Sequence, residues 1–179
     1  LDQGANLALS LFGQLKGQTT VEGALASERK TLVDEYKIPG DQFDFPTNGS
    51  GSPDSQATPR AIVQMLTKMS TTPAAADFRA ALPVLGVDGS MYSTSTDLPA
   101  KGHVFTKPGT TVQPGADGKT IDLKAQNLAG YIETKTGRTL AFAVMVNNAG
   151  TLTPDALTEG IFEVFGDEGA ITNYLYEHH

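Results

Sequence analysis

The chain has no cysteine and no tryptophan, so disulfides, thiolate metal sites and a cysteine nucleophile are excluded. Histidine is scarce too: only His103 lies in the body of the chain, which argues against a histidine metal cluster or a Ser-His-Asp triad. Hydrolytic chemistry here would take a lysine or a carboxylate as its base. Long apolar runs are missing. The longest, Leu140–Val146, falls far short of the ~20 residues of a membrane-spanning helix. Positive charge is in deficit, with 13 Lys and Arg against 20 Asp and Glu and a net charge of −7. No basic patch carries interleaved aromatics, so a nucleic-acid partner is not expected. There is no initiator methionine and no basic-then-apolar leader, which predicts a mature, processed or cut form. Glu177-His178-His179 reads as a purification-tag remnant and is given no chemistry.

What is present suits one domain over residues 1–176, because 179 residues at 39% apolar can bury a core. Leu7, Leu11 and Leu15, beside Ala8 and Phe12, form a helical stripe over Gly4–Leu15. A second helix is expected from Val21 to Lys37, with Leu25, Leu32, Val33 and Tyr36 inward and Pro39-Gly40 as its stop. Gln42–Phe45 reads as a short extended piece before a polar loop over Thr47–Ser55. Thr58-Pro59, Thr72-Pro73 and Thr153-Pro154 each set a capping hydroxyl before a proline at a helix start. The last of these helices bears Leu157, Ile161, Val164 and Phe165, a stripe suited to lying across a sheet.

Strand patterns occupy Gly102–Lys107, Asn127–Thr134 and Thr139–Asn147, with a turn at Lys135–Arg138 and a surface loop at Gln113–Lys119. Helices and strands segregated in this way predict an α+β fold with an antiparallel sheet of about three strands.

Several motifs stand in a telling order. Asn48-Gly49-Ser50-Gly51 precedes Thr58-Pro59. Leu82-Pro83-Val84-Leu85-Gly86-Val87-Asp88-Gly89-Ser90 follows, then Gly102–Thr110 with Lys107-Pro108-Gly109-Thr110. Leu128-Ala129-Gly130-Tyr131 and Gly137–Phe142 complete the series. Over about a hundred residues this resembles the C-terminal half of the serine D-alanyl-D-alanine carboxypeptidase/endopeptidase family, the class C low-molecular-mass penicillin-binding proteins. The resemblance implies part of a penicillin-binding, serine β-lactamase-like transpeptidase fold, outside the cytoplasm, that needs no metal or cofactor. It also implies that the parent cleaves the terminal D-Ala–D-Ala bond of peptidoglycan stem peptides through an acyl-enzyme and reacts with β-lactams.

That family uses a Ser-x-x-Lys bearing the nucleophile, a Ser-x-Asn and a Lys-Thr-Gly. The first is expected to lie upstream of this chain, in a missing N-terminal half of the same domain. Leu1–Asn6 resembles the residues that follow Ser-x-Asn, with Asp2 standing where the asparagine would be. For the third, Lys135-Thr136-Gly137 matches by letter but reads as a solvated hairpin turn. Lys107-Pro108-Gly109 matches by context, ending a strand and preceding Thr110 and Thr111.

By the resemblance, Lys107, Thr110 and Asp2 are the catalytic candidates, and Pro108, Gly109, Thr110 and Thr111 the substrate-binding ones. A lysine there offsets negative charge near the nucleophile and the substrate carboxylate. Gly109 lets a peptide lie against the strand edge, the Thr110 N–H supplies an oxyanion donor, and the Thr110 hydroxyl binds the terminal carboxylate. Two departures stand out. Pro108 removes a hydroxyl and a backbone donor, tolerable only at a sheet edge. Asp2 accepts but does not donate when ionised.

The chain alone is therefore expected to be inactive. The rival reading is a non-catalytic relative that binds cell-wall peptide or a protein partner through the same cleft; a β-lactamase-like esterase is a third. An exposed sheet edge would also allow self-association. Asp88-Gly89-Ser90 reads as a turn, Asp41 and Asp44 as solvated, His103 as a surface residue, and Met65 and Met69 as helix core.

Overall fold

The computed structural model describes residues 2–48 and 53–179, with only the backbone of Asp2. The Gly49–Ser52 portion of the polar loop lies outside the described residues. Two compact units divide the chain, residues 1–68 and 69–179.

In the first unit, α1 (Asp2–Leu15) and α2 (Val21–Asp34) pack as a pair. Thr20 caps α2 by accepting the Gly23 N–H at 3.1 Å. The two helices meet at Gly13, where a Cβ would sit 2.7 Å from the Cβ of Ala24, so the approach depends on glycine. A short ribbon, β1 (Phe43–Asp44) with β2 (Gln56–Ala57), precedes α3 (Pro59–Met69). Ile38, Phe43 and Ala61 form a small core with Leu32, Val33, Tyr36 and Met65 around it. Thr58 caps α3 as its spacing predicts, accepting from the Ala61 N–H at 3.1 Å.

Two expectations for this unit need revising, and a third is met with an addition. The stripe on α1 faces water: Leu7, Leu11 and Leu15 are 60%, 51% and 86% exposed, while Leu9 is buried. Helix α2 stops at Asp34, before Pro39, because Lys37 turns into the left-handed region (φ 61°) and the Ile38 N–H reaches back to Leu32. The ribbon β1–β2 gives the extended piece at Phe43 a partner that periodicity alone does not reveal.

The second unit is a three-stranded antiparallel sheet of order β3–β4–β5: β3 (Val104–Pro114), β4 (Ile121–Glu133) and β5 (Thr139–Leu152). The 22-residue helix α5 (Leu157–His178) lies across it. Leu128, Ile132 and Phe142 of the sheet pack with Phe165 of α5, and with Leu85, Met91 and Ala100 from the loop before β3. The α+β class and the C-terminal helix on the sheet follow the sequence reading. At Lys135–Arg138 the turn is as expected, with Gly137 at φ 82° and the Thr134 N–H donating to Arg138.

Other details differ. Strand β3 does not end at Lys107; it runs through Pro108 to Pro114, across part of the segment read as a loop. Neither Thr72 nor Thr153 caps a helix. The Thr72 hydroxyl donates back to the Met69 carbonyl at 2.9 Å, and α4 (Ala75–Ala80) starts later. Thr153-Pro154 opens a 3₁₀ turn that leads into α5. Between Leu123 and Ala125 the register slips on both sides of β4, so Lys124 is an extra residue in a bulge just past Thr111.

Candidate functional site

Among the described residues strand β3 has a neighbour strand on one side only, and the segment before it covers just the first part of its other edge. There the Leu85 N–H donates to Val104 O at 2.9 Å and the Thr106 N–H to Pro83 O at 2.8 Å. Strand residues alternate the direction of their backbone groups, so positions 104, 106, 108 and 110 address this outer edge and 103, 105, 107 and 109 address β4. The Glu133 N–H donating to His103 O at 2.9 Å fixes the same parity from the β4 side.

The uncovered edge therefore begins beside Lys107. Pro108 stands at an outward position, where a strand can lose its N–H without breaking the ladder to β4. Next along the edge is the N–H of Thr110, to which no backbone acceptor is bonded among the described residues.

Side chains divide by the same alternation. Phe105, Lys107, Gly109 and Thr111 occupy one face of β3; Val104, Thr106, Pro108 and Thr110 occupy the face toward the core. Helix α4 covers the start of the first face. Arg79 lies 4.1 Å over the Phe105 ring and pairs with Glu133, while Phe78 meets Tyr131 edge-on. Beyond Phe105 the face opens. A Cβ added at Gly109 would meet no atom within 4 Å, so the fold itself does not require a glycine there. The Lys107 ammonium donates to the Pro108 carbonyl at 2.5 Å, at the outer edge, and partial burial lowers its pKa. A lysine poised below its ordinary value gives up a proton more readily than a solvated one.

The Thr110 side chain is held from the inner face of the sheet. Its hydroxyl donates to Oε1 of Gln126 at 2.7 Å, on the face away from Lys107. Its backbone N–H addresses the edge, and Thr111 is the hydroxyl residue that shares the face with Lys107. The Asp2 side chain lies outside the described residues.

A literal Ser-x-x-Lys does occur within the chain, Ser27-Glu28-Arg29-Lys30, besides the one expected upstream. Its setting is wrong for a nucleophile. It lies in the middle of α2, and the Lys30 ammonium is paired with Asp34 one turn on. That side-chain hydrogen bond, and then the charge of Asp34, raise the Lys30 pKa, opposite to what a proton acceptor needs.

The remaining candidates behave as surface chemistry. Asp88 accepts from the Val84 N–H at 2.7 Å in a turn, and His103 stacks on Tyr176 with ring centroids 4.9 Å apart. Among the described residues no group of three or more His, Asp or Glu could hold a metal ion, and no helix is long and apolar enough to cross a membrane.

Two residues escaped the sequence reading. Gln126 and Glu168 are both fully buried. Burial raises the Glu168 pKa to about 7, against a smaller lowering by the Gln126 side chain. The signal was available: Glu168 interrupts the apolar stripe of α5, three residues after Phe165.

The family model of D-Ala-D-Ala carboxypeptidase 3 (S13) matches residues 5–164. No curated protein matches the chain. Among solved structures it is similar to penicillin binding protein 4 from Haemophilus influenzae, with a TM-score of 0.59 and 21% identity over 87% of this chain and 32% of that one. It is also similar to a predatory endopeptidase from Bdellovibrio bacteriovorus in complex with an immunity protein, with a TM-score of 0.59 and 19% identity over 84% and 36%. A penicillin G-acylated predatory endopeptidase from the same organism gives 0.57 and 15%, over 94% and 44%. The chain thus spans about a third of the length of the first two, and at these identities the likeness is one of fold.

Proposed function

The chain belongs to the D-Ala-D-Ala carboxypeptidase 3 (S13) family, and we propose that it forms the part of a penicillin-binding domain that presents β3 to a peptidoglycan stem peptide. In the complete domain a serine supplied from outside this chain attacks the carbonyl of the terminal D-Ala–D-Ala bond. The C–N bond breaks, D-Ala leaves with a proton, and water hydrolyses the acyl-enzyme.

Here the substrate lies along the uncovered edge of β3. The Thr110 N–H stabilises the developing oxyanion, Gly109 leaves room for the peptide, and Lys107 offsets the charge of the terminal carboxylate with Thr111 on the same face. This domain works outside the cytoplasm. The single observation that supports the reading is the edge itself: its cover ends at Thr106, one residue before Lys107.

The 179 residues alone form no acyl-enzyme on this reading. The test joins the chain to the upstream sequence of its own gene and adds a fluorescent penicillin. Stoichiometric covalent labelling at an upstream serine is expected, with none on the chain alone. Labelling of the isolated chain would refute the assignment.

The second reading, a non-catalytic binder of cell-wall peptide or of a protein partner, draws on Pro108, whose missing N–H leaves the edge one donor short. The same joined protein decides: folded protein that binds stem peptide without becoming labelled is a binder.

A further inference from the structure

Beneath the recognition edge a line of polar groups runs into the core. Thr110 donates its hydroxyl proton to Oε1 of Gln126 at 2.7 Å. The Gln126 amide nitrogen is buried without an aligned acceptor, and both carboxyl oxygens of Glu168 are buried without an aligned donor. The two side chains are neighbours, since Gln126 lowers the Glu168 pKa against the larger effect of burial. A buried carboxylate in an apolar stripe is costly, and nothing in the packing of α5 on the sheet demands one.

We propose that Glu168 is a positioning residue: through the orientation of the Gln126 amide, its protonation state decides whether the Thr110 hydroxyl is tied to the core or free at the strand edge. This rests on Thr110 belonging to the recognition edge proposed above.

The hydrogen-bond inventory admits two self-consistent arrangements. With Glu168 ionised, its carboxylate accepts from the Gln126 amide nitrogen, Oε1 points to Thr110, and the Thr110 hydroxyl spends its proton inward. With Glu168 protonated, its O–H donates to Oε1 of a flipped Gln126. The Nε2 then donates to the Thr110 oxygen, and the hydroxyl proton is released for an anionic group at the edge, such as a peptide carboxylate. One proton on α5 thereby changes the donor count of a residue on β3 without moving the backbone.

The surroundings keep the switch simple. By register, Leu123 and Leu128 of β4 and Val144 and Val146 of β5 share the face with Gln126, all apolar. From the loop before β3, Ser95 and Leu98 approach the neighbouring Gly169, while Asp97 and Lys101 are exposed. On α5 the next acidic residues, Glu163 and Asp167, are also exposed. No ionisable side chain from these elements faces the Glu168 carboxyl, whose buried site places its titration at about pH 7.

The test follows the Glu168 side-chain carbon, the Gln126 side-chain amide and the Thr110 amide by NMR on the full chain between pH 5 and about 9. All three should share one inflection near pH 7, and the Thr110 inflection should vanish in Glu168→Gln, whose amide does not titrate. Gln126→Met supplies the second arm: Glu168 still titrates, while Thr110 no longer follows. If Thr110 stays flat while Glu168 titrates in the wild-type chain, or if Thr110 titrates unchanged in Gln126→Met, the proposal falls. A Glu168 that shows no inflection in this range sinks it as well.

In the joined protein, acylation by penicillin, which like the stem peptide carries a carboxylate, should fall roughly tenfold between pH 6 and 8, about the weight of one hydrogen bond to a charged group. Glu168→Gln should flatten that dependence. Absence of any acylation would remove the enzyme reading and leave the NMR coupling standing, so the two failures are distinguishable.

Discussion

Thr106 donates its N–H to the carbonyl of Pro83 at 2.8 Å, and with that bond the cover on the outer edge of β3 ends. Amide exchange reads this boundary directly. The Thr106, Lys107 and Gly109 amides, bonded to Pro83 or directed at β4, should exchange at least ~100-fold more slowly than Thr110, whose N–H addresses the open edge. Equal protection at Thr106 and Thr110, measured by hydrogen–deuterium exchange, would mean that the edge is closed.

Two glycines of this sheet carry opposite expectations. Gly109 has open space where a Cβ would go, whereas a methyl on Gly130 would run into the Phe105 carbonyl across the strand pair. Gly109→Ala should change stability by less than ~1 kcal/mol yet slow acylation of the joined protein roughly tenfold or more. Gly130→Ala should cost about 3 kcal/mol or prevent folding. Urea unfolding of the two variants, with labelling of the first, checks both.

Ser27 offers the cheapest check on the enzyme reading. It matches a catalytic pattern by spelling alone, on a helix whose Lys30 is held by Asp34. Intact-mass spectrometry of the chain after incubation with penicillin should show no adduct. Ser27→Ala should leave labelling of the joined protein unchanged.

Glu168 also predicts how stability varies with pH. Its carboxyl is raised from an ordinary 4.5 to about 7 in the folded chain, so the native state holds a proton that the unfolded state has released. Stability from this group is fully present below about pH 4.5, declines as pH rises, and is lost above about 7. The loss is on the order of 3 kcal/mol, from ~1.4 kcal/mol per pH unit. Glu168→Gln should unfold at nearly the same urea concentration at pH 5 and pH 8, while the wild type weakens over that interval.

Much of this architecture was legible from residue order because strands and the α5 stripe are long, and periodicity accumulates over length. Lys107 could be separated from Lys135 because one sits in a β-rich run and the other before Gly137 in a tight turn. What sequence could not show was direction. The α1 stripe is as regular as that of α5, yet regularity says only that a face is apolar, not that anything covers it. The hydroxyls of Thr72 and Thr153 met the spelling of a cap, but the backbone beyond them turned before a helix could begin. The bond from the Thr110 hydroxyl to Gln126 was equally out of reach, since strand parity is fixed by pairing partners that a linear reading does not supply. Glu168 was hidden for the opposite reason: attention to an apolar stripe passes over the one acid set within it.

The outward leucines of α1 have a practical consequence for anyone handling this chain. Three bulky aliphatic side chains on one solvent-facing flank will take up environment-sensitive dyes in the native state. Fluorescent-dye melting curves will therefore start from a high baseline, and a bright signal at low temperature will report that flank rather than damaged protein.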